Sequence, residues 1–479
     1  MKNKVLLVTL PSELNITSFS VPLGIMSLKA IIEADKNYIV EILDFKYAIY
    51  KGDFKYMRTN NDFQSYVDHL SNYILEKKFD VIGFSSMCNN LHISLAVAKK
   101  IYQRRQNIKI FMGGPQPSFT ASKILENFYY IDGICIGESE LTILPFLDWL
   151  TQNKELSHIK GVCFRSEGKI INTGLPDLVT NLDDLPIIDF TYFDIQSIPT
   201  IDLDVGRGCP YSCTFCSTQL FWKRKFRLKS IDRILKEVKL LLPYNIGVFG
   251  FQHDMFTANR KYIMQFCEEI KKQRLDFTWV CSSRIDTLTE DMLRKMAEAG
   301  CTGIFIGMET GSQQMQKILN KNLRVDQLLQ KVELILKYGI ALTLSFIYDF
   351  PEETQEDLEE TLQMIYNLYC IDIDKLKNRI QLHKLVFMNG TALFNNNKKN
   401  LSYSPEGSGW SINTWENVPN EYSQNIDLFA HNFTILSTEG KKYPFLTTFM
   451  TIIIPTFQEI FPILNLTWYG QNTKKADST

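Results

Sequence analysis

Three cysteines share one short segment of the chain, Gly206-Arg-Gly-Cys209-Pro-Tyr-Ser-Cys213-Thr-Phe-Cys216. Their spacing, C-x3-C-x2-C, puts three soft sulfur ligands on a single loop. Such a loop can hold three irons of a [4Fe–4S] cluster and leave the fourth iron open to another ligand. Zinc is the other metal that favours cysteine, but structural zinc takes four ligands, and no His or Cys follows until His253. Three unrelated buried thiols are the plain alternative. The Gly, Pro, Ser and Thr residues around them argue for a loop instead.

The elements around this loop form a regular series. The apolar run Asp202–Val205 precedes it, and similar runs follow at Ile246–Phe251, Phe277–Ser282, Gly303–Gly307, Leu342–Ile347 and Gln381–Phe387. Helical patterns separate them. Behind Ser230, a candidate N-cap, Ile231, Ile234, Leu235, Val238, Leu241 and Leu242 form one apolar stripe. Thr354-Gln-Glu-Asp357 reads as a capping box that opens another helix. Six such βα units predict a partial barrel, since a complete eight-unit barrel takes about 250 residues.

A first alternating series lies before it. Lys4–Leu10, Tyr38–Phe45, Asp80–Met87, Lys109–Gly113 and Gly133–Gly137 read as buried strands with helices between them. Strict alternation predicts a doubly wound parallel sheet, which binds ligands outside the carboxyl ends of its strands. The turns at that edge carry Ser85-Ser86, Gly113-Gly114-Pro115 and Gly137-Glu138. Glycines there let a backbone come close to a ligand. Gly161–Arg165 and Lys169–Asn172 look like a hairpin, and Asp183-Asp184-Leu185-Pro186 like a linker.

Composition narrows the class. Hydrophobic residues are 45%, charged residues 22% and the net charge is -1. These values exclude a disordered or collagen-like chain and give no sign of nucleic-acid binding through bulk charge. The N-terminal run VLLVTLP is too short for a secretion signal, and Ile452–Leu466 is broken by Pro455, Gln458, Glu459 and Pro462. The expectation is a cytoplasmic protein without a membrane span, in which cysteines stay thiols, ligands or catalysts.

With these motifs in place, the chain resembles the radical S-adenosylmethionine (SAM) superfamily. The C-x3-C-x2-C loop after the first strand of a partial (β/α)6 barrel is that superfamily's signature, and Phe215 before the last cysteine fits it. The resemblance implies a [4Fe–4S] cluster on Cys209, Cys213 and Cys216. Phe249-Gly-Phe-Gln252-His-Asp254-Met-Phe256 resembles the segment near the methionine amino group. Ser283-Arg284 falls where a polar or basic side chain meets the carboxylate. Gly303-Ile-Phe-Ile-Gly307-Met-Glu309-Thr-Gly311 is similar to the motif whose acid contacts ribose, with Gly307 and Gly311 expected to leave room for adenosine. Phe346-Ile-Tyr-Asp349-Phe-Pro351-Glu352-Glu353-Thr354 is similar to the usual Gly-x-Pro-Gly-Glu-Thr, with acids in place of both glycines. The SAM contacts implied are Phe215, Gln252, Asp254, Ser283, Arg284 and Glu309.

The first series resembles the cobalamin-binding domain that precedes the radical core in one branch of the superfamily. The matches are Val21-Pro22-Leu23-Gly24, Asp80-Val-Ile-Gly83-Phe-Ser85-Ser86, Gly113-Gly114-Pro115-Gln-Pro117 and Gly137-Glu138-Ser-Glu140. They imply cobalamin contacts at Pro22, Leu23, Gly24, Ser85, Ser86, Gly113, Gly114, Pro115, Gly137 and Glu138. The Asp-x-His-x-x-Gly motif that places a histidine on cobalt is absent, which leaves His92 and His158 as the histidines to consider for a lower face. Cys88, Cys135 and Cys163 do not follow the arrangement of methylthiotransferases and read as small buried hydrophobes.

The implied fold class is α/β. A Rossmann-like cobalamin domain spans 1–150, a hairpin and linker 151–199 and the radical SAM barrel 200–394. Residues 395–479 form a C-terminal cap or substrate region of unassigned fold, whose Trp410, Trp415, Tyr403 and Tyr422 are candidate substrate-lining groups. The implied cofactors are a [4Fe–4S] cluster, SAM and cobalamin. The implied partners are a small-molecule or peptide substrate and an electron donor such as flavodoxin or ferredoxin. Methyl transfer to an unactivated carbon leads the functional expectations. Non-methylating rearrangement, oxidation or cyclisation follows, and a non-catalytic cobalamin or SAM sensor comes last.

Overall fold

The computed structural model describes residues 2–11, 20–55, 62–152, 154–156, 158–376, 379–404 and 415–435. The first sheet contains β1 (Asn3–Thr9), β2 (Tyr38–Asp44), β3 (Val81–Ser85), β4 (Lys109–Gly113), β5 (Gly133–Cys135), β6 (Val162–Ser166) and β7 (Lys169–Asn172). Its order is β2-β1-β3-β4-β5-β6-β7. The first five strands are parallel. Strand alternation on β1 sends Val5 and Leu7 into one core and Leu6 and Val8 into the other, so the sheet is buried on both faces. Because β1 lies between β2 and β3, the winding reverses there. The carboxyl ends of β1 and β3 thus flank the crevice where such sheets bind ligands.

The hairpin expected within 151–199 joins the first sheet. β6 pairs antiparallel with β5 and with β7, so the hairpin closes the first sheet instead of standing in a linker. A hairpin signal is local and carries no information about its outer partner strand.

The second sheet begins at β8 (Thr200–Asp204). A two-residue antiparallel pair, β9 (Gly206–Arg207) and β10 (Arg227–Leu228), brackets the cysteine loop. β11 (Val248–Gln252), β12 (Trp279–Ser283), β13 (Cys301–Glu309), β14 (Ala341–Tyr348) and β15 (Ile380–Lys384) complete it in the order β15-β14-β13-β12-β11-β8. All neighbours are parallel. β8 and β15 stay unpaired edges, which makes the expected partial barrel. The Ser230 hydroxyl accepts the Arg233 amide at 3.1 Å, and Thr354 and Asp357 form the expected capping box. Phe190, Phe193, Ile195 and Ile198 of the connecting segment lie in one apolar cluster with one face of the first sheet and the core of the second.

The C-terminal segment contributes a small antiparallel pair, β16 (Leu401–Tyr403) and β17 (Phe433–Ile435). Two of its candidate lining aromatics are core residues instead. Trp415 stacks on Tyr66 at 4.3 Å and Tyr422 on Phe128 at 6.0 Å, both buried in the core of the N-terminal domain. Tyr403 packs against Phe433. Trp410 lies outside the described residues. Apolar area drives these rings into the nearest uncovered helix face. Among the described residues no helix is long and apolar enough to cross a membrane.

Candidate functional site

The cysteine loop leaves β9 at the carboxyl end of the barrel and is pinned from three sides. Thr214 donates its amide to the Leu319 carbonyl at 3.0 Å, and Leu393 donates to the Thr214 carbonyl at 3.0 Å. Asn320 Nδ2 donates to the Ser212 carbonyl at 3.0 Å. Asp254 accepts the Gly208 amide at 3.0 Å and the Thr218 hydroxyl at 3.2 Å, so this acid holds both ends of the loop. The three thiols are half-buried. Burial pushes the Cys209 thiol up to about 11 and also raises Cys213, against which the Lys321 charge works. Among the described residues no three ligating side chains form a closed metal-binding group. The donor set itself fits an iron–sulfur cluster: three thiols on one loop, each close enough to sense the others, with cations beside them.

The barrel mouth gathers the remaining expected residues around this loop. Phe215 packs edge-on against Phe350 at 6.0 Å. Gln252 ends β11 and donates to Asp202 at 2.8 Å. Ser283 is buried with its hydroxyl 2.6 Å from that of Thr257, which ties it into the wall. Arg284 lies 4.1 Å over the ring of Tyr211, inside the cysteine loop, and pairs with Asp286 at 2.8 Å. Glu309 sits just past a bulge in β13 at φ 67, a backbone state that costs a non-glycine residue about 1–3 kcal/mol. Its carboxylate meets Lys321 at 2.6 Å. An ideal Cβ at Gly307 would fall 2.2 Å from that carboxylate, so this glycine makes room for the acid. Gly311 does not face the adenosine side: its Cβ would lie 2.6 Å from the Glu360 carbonyl, and it lets a helix close on the sheet. Asp349 adopts φ 72, so an aspartate takes the left-handed turn for which the family pattern uses glycine.

One cavity of about 470 Å³ runs from the edge of the first sheet to the barrel mouth. Leu23, Gly24, Ser85, Gly113, Gly114, Pro115, Gly137 and Glu138 line it from the N-terminal side, Gln252 and Asp254 from the barrel side. Pro22 and Ser86 lie outside the lining. Ser86 instead holds the turn: Gly114 has φ 93, and a Cβ there would lie 2.8 Å from the Ser86 carbonyl. The Glu138 carboxylate is engaged by Arg207, Arg227 and the Val179 amide. Cys135 lines the cavity, while Cys88 and Cys163 are buried away from it. Neither histidine considered for a lower face reaches the lining. His92 is fully buried beside Phe63, and His158 is exposed.

Several residues of this site were not expected. Lys321, Arg207, Arg227, Asp204 and Glu140 make buried ion pairs, and Trp222 and His253 line the cavity. Arg207 stood beside the cysteine motif, and Glu140 within the matched Gly137-Glu138-Ser-Glu140 segment. Only their pairing across the chain reveals their work.

Two α/β sheets that share a cavity, the second carrying a three-cysteine loop, define an α/β protein with two adjoining domains. Residues 203–365 match the Radical SAM superfamily, and residues 14–145 match the B12 binding domain. The chain belongs to the radical SAM superfamily, in the branch that carries a B12-binding domain before the barrel. Its cofactors are accordingly a [4Fe–4S] cluster, SAM and cobalamin. It is similar to an uncharacterized methyltransferase of Pyrococcus horikoshii, 31% identical over 306 residues, 62% of this chain and 66% of that protein. It is also similar to the anaerobic magnesium-protoporphyrin IX monomethyl ester cyclase of Rubrivivax gelatinosus, 26% identical over 314 residues, 62% of this chain and 56% of that protein. The chain thus spans under two thirds of either relative. The cobalamin-dependent SAM radical enzyme OxsB, solved with aqua-cobalamin and SAM bound, shares the fold at a TM-score of 0.69 and 19% identity, over 91% of this chain and 64% of that one.

Proposed function

We propose that this chain is a cobalamin-dependent radical SAM methyltransferase that moves a methyl group to an unactivated carbon of a natural-product or peptide substrate. The observation that carries this reading is a cavity walled by both sheets, with Gly24, Ser85 and Gly114 on one side and Gln252 and Asp254 on the other. Two cofactors that act on one substrate need a shared space that orients all three. When bound, the cluster would supply the electron for splitting a carbon–sulfur bond of SAM, and cobalamin would serve as the methyl carrier.

The chain's own residues hold and orient. Cys209, Cys213 and Cys216 would ligate three irons. Arg284 and Lys321 bring two positive charges to the cysteine loop, where they favour a carboxylate ligand. Glu309, fixed by Lys321, has a second oxygen for ribose hydroxyls. Phe215 and the buried wall around Ser283 would help to keep water from the open iron. A donor such as flavodoxin or ferredoxin would supply the electron.

Product analysis tests the reading. Protein reconstituted with iron, sulfide and hydroxocobalamin is given SAM, a reductant and a candidate methyl-accepting substrate. Formation of S-adenosylhomocysteine together with 5′-deoxyadenosine supports methyl transfer. Deoxyadenosine with no S-adenosylhomocysteine would overturn it and favour non-methylating oxidation or cyclisation. The similarity to the magnesium-protoporphyrin ester cyclase supports that second reading.

A further inference from the structure

Five charged side chains meet where the two sheets adjoin. Arg207 lies two residues before Cys209, and its guanidinium crosses to the loop after β5. One nitrogen pairs with Glu138, another with Glu140 at 2.7 Å, and the same group holds Asp204 at 2.9 Å. Arg227 takes the second oxygen of Glu138 at 2.9 Å. The Arg207 side chain is 9% exposed and that of Glu138 only 1%. Ser27 donates to Glu140 at 2.9 Å, and the Val179 amide to Glu138 at 2.8 Å. Trp222 has the Arg207 guanidinium 5.7 Å and the Arg227 guanidinium 5.6 Å from its ring centre.

Such a cluster is poorly explained as a source of stability. Removing several charges from water costs more than their attraction reliably returns, and apolar packing of the same volume does as well or better. Its value is geometric. A guanidinium has five donors in a planar fork, so three acids around it fix direction as well as distance. Here the acids belong to both domains: Glu138 and Glu140 border Gly137 on the cavity's N-terminal wall, and Asp204 ends β8 on its barrel wall. The clamp therefore spans the cavity at its seam. On the barrel side it continues into Gly208, whose amide Asp254 holds, and then into the first cysteine.

We propose that Arg207 is a positioning residue that fixes the cobalamin-binding edge against the cluster loop and thereby sets the separation of the two cofactors. The inference rests on the cofactor assignment above and adds the device that aligns the two sites. Arg207 also lines the shared cavity, but the positioning role needs no contact with either cofactor. It acts through the Glu138–Glu140 loop on one side and through Gly208–Cys209 on the other.

The test uses full-length protein reconstituted with iron, sulfide and hydroxocobalamin, then reduced. Iron and cobalt content are measured first. If wild type fails to hold both metals, the cofactor assignment fails, whatever Arg207 does. With both present, electron paramagnetic resonance reads the relaxation enhancement that the reduced cluster imposes on cob(II)alamin, which depends steeply on their separation. Arg207→Gln is expected to keep iron and cobalt but lose that enhancement, and Arg207→Lys to restore part of it. Unchanged enhancement in Arg207→Gln overturns the proposal. If Arg207→Gln does not fold, Glu140→Gln, which removes one acid of the three, is read in the same way. Loss of fold in both variants means that the clamp is merely structural, and overturns it too.

Discussion

Inside the barrel the Glu309 carboxylate and the Lys321 ammonium meet at 2.6 Å, with side chains 9% and 11% exposed. The pair fixes the acid over Gly307, at the end of a bulged strand. A carboxylate held in this way accepts charge-assisted hydrogen bonds worth about 1.5–3 kcal/mol. Glu309→Gln keeps the shape and removes the charge. It is expected to weaken SAM binding roughly ten- to a hundredfold, since ~1.4 kcal/mol is one decade of affinity. Iron content should not change. Calorimetric titration of the reconstituted variant checks this, and unchanged affinity would mean that ribose is held elsewhere.

Cys209→Ala, Cys213→Ala and Cys216→Ala should each abolish SAM cleavage and lower bound iron. Three thiolates are the minimum that leaves one iron open. The readouts are iron analysis and deoxyadenosine formation after anaerobic reconstitution. Wild-type values in any one variant would remove that cysteine from the cluster.

The cobalamin edge is better probed at Gly24 than at Gly114. A side chain at Gly114 would strike the Ser86 backbone and would need φ 93, so any replacement there disturbs the turn itself. Gly24 lines the cavity, and a Cβ there meets nothing within 4 Å. Gly24→Leu should keep its helix, fill the cavity and lose hydroxocobalamin on gel filtration while retaining the iron cluster. Full cobalt retention would place the macrocycle elsewhere.

Much of this site was legible because its signals are local. The spacing of Cys209, Cys213 and Cys216, the apolar runs of the strands and the Thr354–Asp357 cap each sit within a few residues. What stayed hidden depends on chain segments far apart. Glu138 and Arg207 are separated by 69 positions, and nothing in either neighbourhood announces their pairing. Lys321 follows Glu309 by 12 positions, through a helix and a turn whose direction sequence periodicity does not give. Trp415 and Tyr422 carry no record of which domain they cover. The hairpin at Val162–Asn172 was visible as a hairpin, but its place beside β5 was not.

Acid should destabilise the protein well above the carboxylate range. Burial lowers His92 to about 3, and His253 and His431 to about 4. In the unfolded chain these imidazoles titrate near 6.5. Their folded values are depressed, so the unfolded state takes up protons first as pH falls. The stability they contribute is fully present above about 6.5 and is lost on the way to pH 4. Three such groups amount to at most about 4 kcal/mol per pH unit. The midpoint of thermal unfolding should therefore fall steeply between pH 6.5 and 5, and His92→Phe should reduce that slope. A flat profile would mean that these rings are not held neutral.

The central claim is that one chain carries an open iron–sulfur cluster and a cobalamin on adjoining sheets. The most direct measurement is iron and cobalt in the same sample after anaerobic reconstitution and gel filtration. The account predicts about four irons and about one cobalt per chain, with the iron lost in Cys213→Ala and the cobalt lost in Gly24→Leu. Wild-type protein that retains iron but never cobalt, or cobalt but never iron, would contradict it.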